Sequence, residues 1–340
     1  MEHFKDPFAG IIGNHPKILK ARNIAKRVAK GDSSIILYGE TGTGKEAFAR
    51  AIHKASPRRK RPFIPVNCAA IPESLIESEL FGYEPGSFTG ALKKGKIGKF
   101  QAANLGTIFL DEICDMSLLL QAKLLRTIQD RTVERIGSPT PTPVDIRFIT
   151  ATNKNLEEMM RDFAFREDLY YRLNVIKIQL PPLRERLTDI KSLSEFFMPY
   201  LNIRCKTQVN TIHPDVIKIF MGYHWPGNIR ELQNVLEYAM NFTDNNVIRT
   251  EHLPPVILRH ARPENQNKTT TKNTLSLNKA VTSAEHSTLI NALQRCGNNR
   301  TEAARLLGIS RSTLYEKLKK HCISYETTKS KFPLPTQSLT

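Results

Sequence analysis

The chain is poor in cysteine, and no two of its cysteines are spaced like metal ligands. Its five cysteines form no CxxC unit and stand far apart in the sequence, at Cys68, Cys114, Cys205, Cys296 and Cys322. Zinc sites and disulfide frameworks use paired, regularly spaced cysteines. This scarcity excludes a disulfide scaffold and favours reduced cysteines without a metal role.

Long apolar runs are also missing. No stretch approaches the roughly 18 residues that cross a bilayer, and the N-terminus MEHFKDPFAG lacks the basic-then-apolar pattern of a signal peptide. The 40% hydrophobic and 24% charged residues are typical of a globular protein, and 340 residues allow two or three domains. We therefore expect a cytoplasmic protein with no membrane partner.

Acidic residues are too few to balance the basic ones, which leaves a net charge of +17. Residues 259–340 hold 14 lysines and arginines against 5 acids, more than half of the excess in less than a quarter of the chain. Such an excess favours an anionic polymer as partner, although a charged face kept for solubility is the alternative. The uneven distribution indicates that two functions are joined in one chain.

Strand-like and helical patterns alternate in residues 1–182. The apolar runs SIILYG, RPFIPVN, GTIFLDE and VDIRFITATN are each followed by a helical pattern, and these helices are predicted to begin at Lys45, Pro72, Ser117 and Asn155. This alternation predicts an α/β domain with a parallel sheet covered by helices.

The rest of the chain is mainly helical. Residues 183–256 have helical patterns without a convincing strand, which predicts a helical subdomain. Residues 257–279 are polar and predict a flexible linker, and residues 280–323 regain helical periodicity as a small all-α domain. Residues 324–340 are expected to be a frayed tail.

The segment SIILYGETGTGKE has the order of a phosphate-binding P-loop, namely a strand, a glycine-rich turn and a helix start. Glycines let backbone N–H groups converge on phosphate, the helix N-terminus adds its dipole, and Lys45 reaches the β- and γ-phosphates. Glu46 stands where a Ser or Thr usually contacts magnesium. The predicted nucleotide-binding loop comprises Gly39, Glu40, Thr41, Gly42, Thr43, Gly44, Lys45 and Glu46.

The run GTIFLDE, about 70 residues after the P-loop, has the pattern of a Walker B strand. In this pattern Asp111 is the metal ligand, holding Mg²⁺ directly or through water, and Glu112 deprotonates the attacking water. The alternative is a strand that ends in a solvated acidic turn.

Three arginines have the chemistry needed to bind the γ-phosphate. Arg166 and Arg172 lie six residues apart in FREDLYYRL, and Arg230 lies in PGNIREL. A guanidinium group can bind two phosphate oxygens at once. Their spacing alone does not distinguish them from surface arginines.

The stretch YEPGSFTGAL holds Phe88 and Thr89 between two glycines, beside Pro85. Glycine and proline break both helix and strand, so this phenylalanine is predicted to lie on a loop rather than in a core.

Five segments in order resemble the central AAA+ domain of bacterial enhancer-binding proteins, the activators of sigma-54 RNA polymerase. They are GETGTGKE, VNCAAIPESLIESELFGYEPGSFTGA, GTIFLDEI, FREDLYYRLNVIKIQLPPLRER and WPGNIRELQN. The resemblance extends from about residue 11 to residue 254 and implies ATP and Mg²⁺ as cofactors. It also implies the sigma-54 RNA polymerase holoenzyme as partner.

In that family a loop reading GAFTGA contacts sigma-54, and its counterpart here is Gly86, Ser87, Phe88, Thr89, Gly90 and Ala91. Ser87 replaces the usual alanine, a small change that leaves the strength of coupling open. An exposed aromatic at a loop tip suits an interface anchor. Alternatively, Phe88 packs against its own subunit between contacts.

The resemblance also implies roles for further residues. Asn67 matches the switch asparagine that pairs with the catalytic glutamate, and Asn153 matches sensor I. Arg166 and Arg172 match arginine fingers offered to a neighbouring subunit, and Arg230 matches sensor II. Because such fingers act in trans, the resemblance implies a ring, usually hexameric. The glutamate at position 46 is itself usual in this family.

The segment NALQRCGNNRTEAARLLGISRSTLYEKLKKH resembles the Fis-type helix-turn-helix of these activators. We predict that Thr301 caps the first helix, Gly308 makes the turn and Ser310 caps the second helix, whose Leu314 and Leu318 face the core. Leucine-rich hairpins are also common packing modules, but the basic excess favours double-stranded, enhancer-like DNA. The predicted DNA contacts are Arg311, Ser312, Tyr315 and Lys319.

Two rival functions remain at this point. One is a DNA-binding repressor or scaffold with a vestigial ATPase, and the other is an ATPase with a different client. The family usually carries an N-terminal regulatory domain, whereas this chain begins about ten residues before the resemblance. Either the chain is regulated in trans by another protein or the sequence is a piece of a longer one, and both alternatives stay open.

Overall fold

The structure is a computed structural model that describes residues 6–87, 94–243, 246–261, 285–286, 288–293, 296 and 299–320. The chain divides into two compact units, residues 1–263 and 264–340, which are described separately. Phe88, Thr89, Gly90 and Ala91 lie outside the described residues, as do most of the predicted linker and the whole predicted tail. Within the described part of the chain, no helix is long and apolar enough to cross a membrane.

A five-stranded parallel sheet forms the centre of the first unit. The strands are β1 (Ile35–Tyr38), β2 (Phe63–Asn67), β5 (Thr107–Asp111), β8 (Arg147–Thr152) and β9 (Ile176–Gln179). Their spatial order is β2-β5-β8-β1-β9. All of β1 and β8 is buried, as expected where helices cover both faces of a parallel sheet. The predicted α/β fold is confirmed, with β9 as an additional edge strand.

Helices cover the sheet on both faces. They are α1 (Pro16–Val28), α2 (Lys45–Lys54), α3 (Glu73–Phe81), α4 (Lys99–Ala102), α5 (Leu118–Asp130), α6 (Leu156–Arg161) and α7 (Glu167–Leu173). Four further short strands pair in two antiparallel ladders: β3 (Gly82–Tyr83) with β4 (Lys96–Ile97), and β6 (Thr132–Val133) with β7 (Thr142–Pro143). One core lies on each face of the sheet, with Phe100 in one and Phe48 in the other.

A helical subdomain follows the sheet. It contains α8 (Ile190–Cys205), α9 (Pro214–Gly222), α10 (Asn228–Asn241) and α11 (Pro255–Ala261) around a core of their own. Trp225 is fully buried in this core and donates its indole N–H to the carbonyl of Phe220 at 2.7 Å. The predicted helical subdomain is therefore confirmed.

Two details of that subdomain differ from the sequence prediction. A parallel ladder joins β10 (Thr211–Ile212) to β11 (Val247–Ile248), so the expected absence of strands was wrong. Helix α11 continues to Ala261 and buries Ile257, so the predicted linker begins too early at residue 257. Two-residue strands have too little periodicity to recognise, and the buried face of α11 is short.

The described residues of the second unit include the helices α12 (Arg300–Leu306) and α13 (Arg311–Lys320), and residues 288–293 before them are also helical. Gly308 between them has a φ of +65°, Ser310 caps α13 by accepting from the N–H of Thr313, and Leu314 and Leu318 are buried, all as predicted. The predicted cap of α12 was wrong. The cap is Asn299, two positions before Thr301, and its side chain accepts from the N–H groups of Thr301 and Glu302 at 3.1 and 3.4 Å. Asn is among the strongest N-cap residues, which explains why the helix begins there.

Candidate active site

The glycine-rich loop connects β1 to α2 and turns sharply at two glycines. Gly42 and Gly44 have φ angles of +80° and +99°, in the left-handed region that favours glycine. A Cβ atom on Gly42 would lie 2.2 Å from the carbonyl oxygen of Gly227. The loop can therefore approach the helical subdomain this closely only with glycine at position 42.

Lys45 is the first residue of α2 and is almost completely buried, at 6% exposure. Its Nζ donates to the carbonyl of Gly39 at 2.9 Å and to Glu112 Oε1 at 3.3 Å. The ion pair with Glu112 places a cation and a carboxylate at the mouth of the same loop. An anionic ligand in the loop would meet this lysine, and a water molecule beside the ligand would meet the carboxylate.

The two consecutive carboxylates stand at the end of β5. Asp111 lies opposite Asn67 in the ladder between β5 and β2. Burial raises the pKa of Asp111, and the nearby charge of Lys45 opposes that rise. Glu112 adopts a left-handed backbone with φ of +52°, which takes it out of the strand and turns its side chain toward Lys45.

Asn153 connects the second carboxylate to the loop. Its backbone N–H donates to Glu112 Oε2 at 3.3 Å, and its side-chain Nδ2 donates to Thr41 Oγ1 at 3.2 Å. The residue follows β8, whose carboxyl end lies between those of β5 and β1. Asn153 therefore links the Glu112 carboxylate to the glycine-rich loop through two hydrogen bonds.

These elements enclose a cleft of about 390 Å³. Nine of the residues singled out in the sequence line it: Thr41, Gly42, Gly44, Lys45, Glu46, Asn67, Asp111, Glu112 and Arg230. Ile229 and Gln233, which the sequence reasoning missed, complete the lining from α10. Gln233 lies three residues after Arg230 and four after Ile229, a helical spacing that offered the only available signal.

Asn67 lines the cleft, but its side chain is engaged locally. Its Oδ1 accepts from the N–H groups of Ala69 and Ala70 at 3.0 and 3.2 Å, and so caps a short 3₁₀ turn at Cys68–Ala70. Within the described residues no hydrogen bond joins Asn67 to Glu112. The pairing implied by the family resemblance remains a prediction.

Glu40 belongs to the loop, but its carboxylate points toward the segment after the sheet. Arg184 forms two hydrogen bonds with it, at 2.7 and 2.5 Å, and these hold the pKa of Glu40 below its usual value. Thr43 is buried and donates its hydroxyl to the Glu40 carbonyl at 2.7 Å. These two side chains shape the loop instead of lining the cleft.

The two predicted finger arginines do not line this cleft. Arg166 precedes α7 and pairs with Asp168 at 2.7 Å on the surface. Arg172, later in α7, lines a separate cavity of about 280 Å³ together with Asp32 and Tyr171. Both arginines therefore lie outside the cleft at the glycine-rich loop of their own copy.

In the second unit the four predicted DNA contacts are all exposed: Arg311, Ser312, Tyr315 and Lys319. Arg300 of α12, missed by the sequence reasoning, stacks over the Tyr315 ring at 5.1 Å and donates to its hydroxyl at 3.2 Å. This contact lowers the pKa of Tyr315. The two helices therefore present a basic surface with an oriented aromatic side chain.

Three family models match successive parts of the chain. The first, "Sigma-54 interaction domain", matches residues 11–179, and the second, "AAA+ ATPase lid domain", matches residues 184–270. The third, "Bacterial regulatory protein, Fis family", matches residues 280–321.

Curated proteins are similar over nearly the whole chain. The putative uric acid sigma-54-dependent transcriptional regulator UacR of Escherichia coli is 48% identical over 92% of this chain and 53% of its own length. The regulatory protein AtoC of the same organism is 44% identical over 92% of this chain and 68% of its own length. The transcriptional activator RocR of Bacillus subtilis is also 44% identical, over the same shares. The chain spans only 53% to 61% of UacR and of two nitrogen fixation proteins from Azotobacter vinelandii.

Solved structures match as well. NtrX from Brucella abortus is 34% identical with a TM-score of 0.70, over 93% of this chain and 70% of that chain. The same protein in complex with ATP is 34% identical with a TM-score of 0.68, over 94% of this chain and 71% of that chain.

Proposed function

Since the chain belongs to the family of sigma-54-dependent transcriptional regulators with an AAA+ ATPase domain, we propose that it couples ATP hydrolysis to promoter opening by sigma-54 RNA polymerase. The observation that carries this proposal is the cleft in which Lys45, Asp111, Glu112 and Arg230 meet at the glycine-rich loop. A vestigial ATPase would not need to keep all four together.

The reaction we propose is attack of water on the γ-phosphate of ATP, which breaks the bond from that phosphorus to the β–γ bridging oxygen and releases ADP and phosphate. Lys45 stabilises charge on the β- and γ-phosphates, and Arg230 reaches the phosphates from α10. Glu112 accepts the proton of the attacking water, and Asn153 holds that carboxylate through its backbone N–H.

The residues of the cleft also fit Mg²⁺. A hard cation prefers carboxylate oxygens, and Asp111 offers one where the nucleotide phosphates would lie. Glu46 supplies no hydroxyl at the usual magnesium position, so Asp111 is the proposed protein ligand. The ion would neutralise charge on the β- and γ-phosphates.

The remaining partners follow from other surfaces. Arg166 and Arg172 lie outside the cleft of their own copy, and we propose that they complete the cleft of a neighbouring copy. This arrangement requires a ring, which we propose to be a hexamer. Residues 280–323 would bind double-stranded DNA through Arg311, Ser312, Tyr315 and Lys319, with Arg300 orienting the tyrosine.

The first test is open-complex formation by purified sigma-54 holoenzyme on a promoter of its class, with this protein at high concentration and ATP. We expect ATP-dependent opening that is lost in Lys45→Ala, because the lysine that binds the phosphates is gone. ATP hydrolysis without promoter opening would mean that the ATPase acts on a partner other than sigma-54 RNA polymerase. Absence of ATP hydrolysis would favour the alternative of a DNA-binding protein with a vestigial ATPase.

Replacing Phe88 with alanine should separate hydrolysis from activation. The proposed contact of this phenylalanine is with sigma-54, so ATP turnover should stay close to that of the unchanged chain while open complexes are no longer formed. Steady-state ATPase and promoter opening measured on one preparation test this. Loss of both activities together would instead assign the loop to ring assembly.

A further inference from the structure

Three successive carbonyls of the glycine-rich loop are hydrogen-bonded by residues that follow the sheet in the chain. Each accepts a hydrogen bond from a residue beyond the sheet: Thr41 from Asn228 Nδ2 at 3.0 Å, Gly42 from the N–H of Ile229 at 3.0 Å, and Thr43 from Arg186 Nη2 at 3.3 Å. We call Arg186, Asn228 and Ile229 the carbonyl clamp. The clamp residues and the loop are separated by more than 140 positions in the sequence.

The direction of a carbonyl determines the direction of the next N–H group. The peptide unit is planar and trans, so its C=O and N–H point to opposite sides. Because the clamp holds the carbonyls of Thr41 and Thr43, the N–H groups of Gly42 and Gly44 point to the side opposite the clamp donors, and both glycines line the cleft. The N–H groups of this loop are the donors that a phosphate needs.

Asn228 holds the Thr41 carbonyl from a backbone conformation that is unfavourable for most residues. It is fully buried and has a φ of +53°, a conformation that Asn tolerates better than most residues. Its Oδ1 accepts from the N–H of Leu183 at 2.7 Å, and its Nδ2 also donates to Glu40 Oε2 at 3.2 Å. Both the amide oxygen and the amide nitrogen of Asn228 are therefore hydrogen-bonded. The side chain connects the start of α10 to the glycine-rich loop and to the segment after the sheet.

Arg186 supplies the third donor from an equally buried position, at 1% exposure. Its guanidinium reaches the Thr43 carbonyl from the short segment between β9 and α8. A buried cation is retained only where it has acceptors, and a peptide carbonyl of the loop is one of them. The side chains of Asn228 and Arg186 and the backbone N–H of Ile229 thus fix the three successive peptide units of the loop.

We propose that Asn228 is a positioning residue for nucleotide binding, through which the helical subdomain orients the loop N–H groups toward phosphate. The proposal rests on the proposed ATPase function and deepens it. Since the loop contacts phosphates common to ATP and ADP, loss of the clamp weakens both nucleotides alike. An effect on hydrolysis alone is not expected.

The test is Asn228→Asp in the full chain, with Asn234→Asp as the matched control. The aspartate keeps the acceptor for Leu183 but loses the donor, and it sets a carboxylate against the Thr41 carbonyl and Glu40. Asn234 lies exposed on the same helix, so its substitution repeats the charge change without the contact. Dissociation constants for ADP and a non-hydrolysable ATP analogue should both rise about tenfold or more in Asn228→Asp, with the control unchanged.

A second variant separates positioning from folding. Asn228→Gly keeps access to the left-handed backbone but removes the side chain, and it should show the same parallel loss for both nucleotides. Thermal unfolding without nucleotide identifies any variant that is merely misfolded.

The outcomes are distinguishable. Folded Asn228→Asp and Asn228→Gly proteins that bind both nucleotides like the unchanged chain would overturn the clamp and leave the proposed function standing. Lost hydrolysis with unchanged ADP affinity would overturn it as well. If the unchanged chain bound neither nucleotide, the proposed function would fail, and the clamp with it.

Discussion

Replacing Glu112 with glutamine should lower ATP turnover by about 10²- to 10⁴-fold, the range typical for loss of a general base. Glutamine matches glutamate in size, so the hydrogen bond from the Asn153 N–H can persist, but an amide cannot accept the proton of the attacking water. ATP binding should be retained or strengthened, because Lys45 loses its carboxylate partner at 3.3 Å and becomes available to phosphate.

Turnover and nucleotide affinity must be measured on the same protein. The matched control is Glu158→Gln, which makes the same chemical change at an exposed position of α6 outside the cleft. Turnover of the control should equal that of the unchanged chain. If ATP turnover survived in Glu112→Gln, another group of the cleft would have to be the general base, and the assignment of that role to Glu112 would be refuted.

The parts of this site that sequence could predict are those encoded locally. Lys45 follows its glycines at a fixed spacing, and Asp111 and Glu112 end a buried strand, so each role is readable within a dozen residues. Parallel strands then bring their carboxyl ends to one edge of the sheet, which places these local segments together.

The parts that it could not predict depend on distant contacts. Nothing near Glu40 indicates that Arg184 will bind it, since 144 residues separate the two. In the sequence, Asn228 likewise has the pattern of an ordinary helix start, and its contact with the glycine-rich loop is visible only in the folded structure. The edge strand β9 was missed although IKIQ alternates apolar and polar residues, the pattern of a strand buried on one face, because the run is only four residues long.

Replacing Arg172 with alanine should lower turnover by about 10³- to 10⁵-fold if it acts as an arginine finger, and Arg166→Ala should have an effect in the same direction. ADP affinity should not change in either variant, because an arginine finger binds the γ-phosphate, which ADP lacks, and neither side chain lines the cleft of its own copy. Arg161→Ala, on the exposed side of nearby α6, provides the control and should leave turnover unchanged.

Mixing two inactive variants tests whether the arginine acts between copies. Glu112→Gln keeps its arginines but lacks the base, whereas Arg172→Ala keeps the base but lacks the finger. In a head-to-tail ring formed by random mixing of equal amounts, about one quarter of the interfaces combine an intact cleft with an intact finger.

Turnover of the mixture should therefore rise far above that of either variant alone, and the rise should depend on total protein concentration. A mixture as inactive as its components would mean that Arg172 serves its own copy. Arg172 would then have to leave its present position, where it lines a separate cavity with Asp32 and Tyr171, and enter the cleft of its own copy.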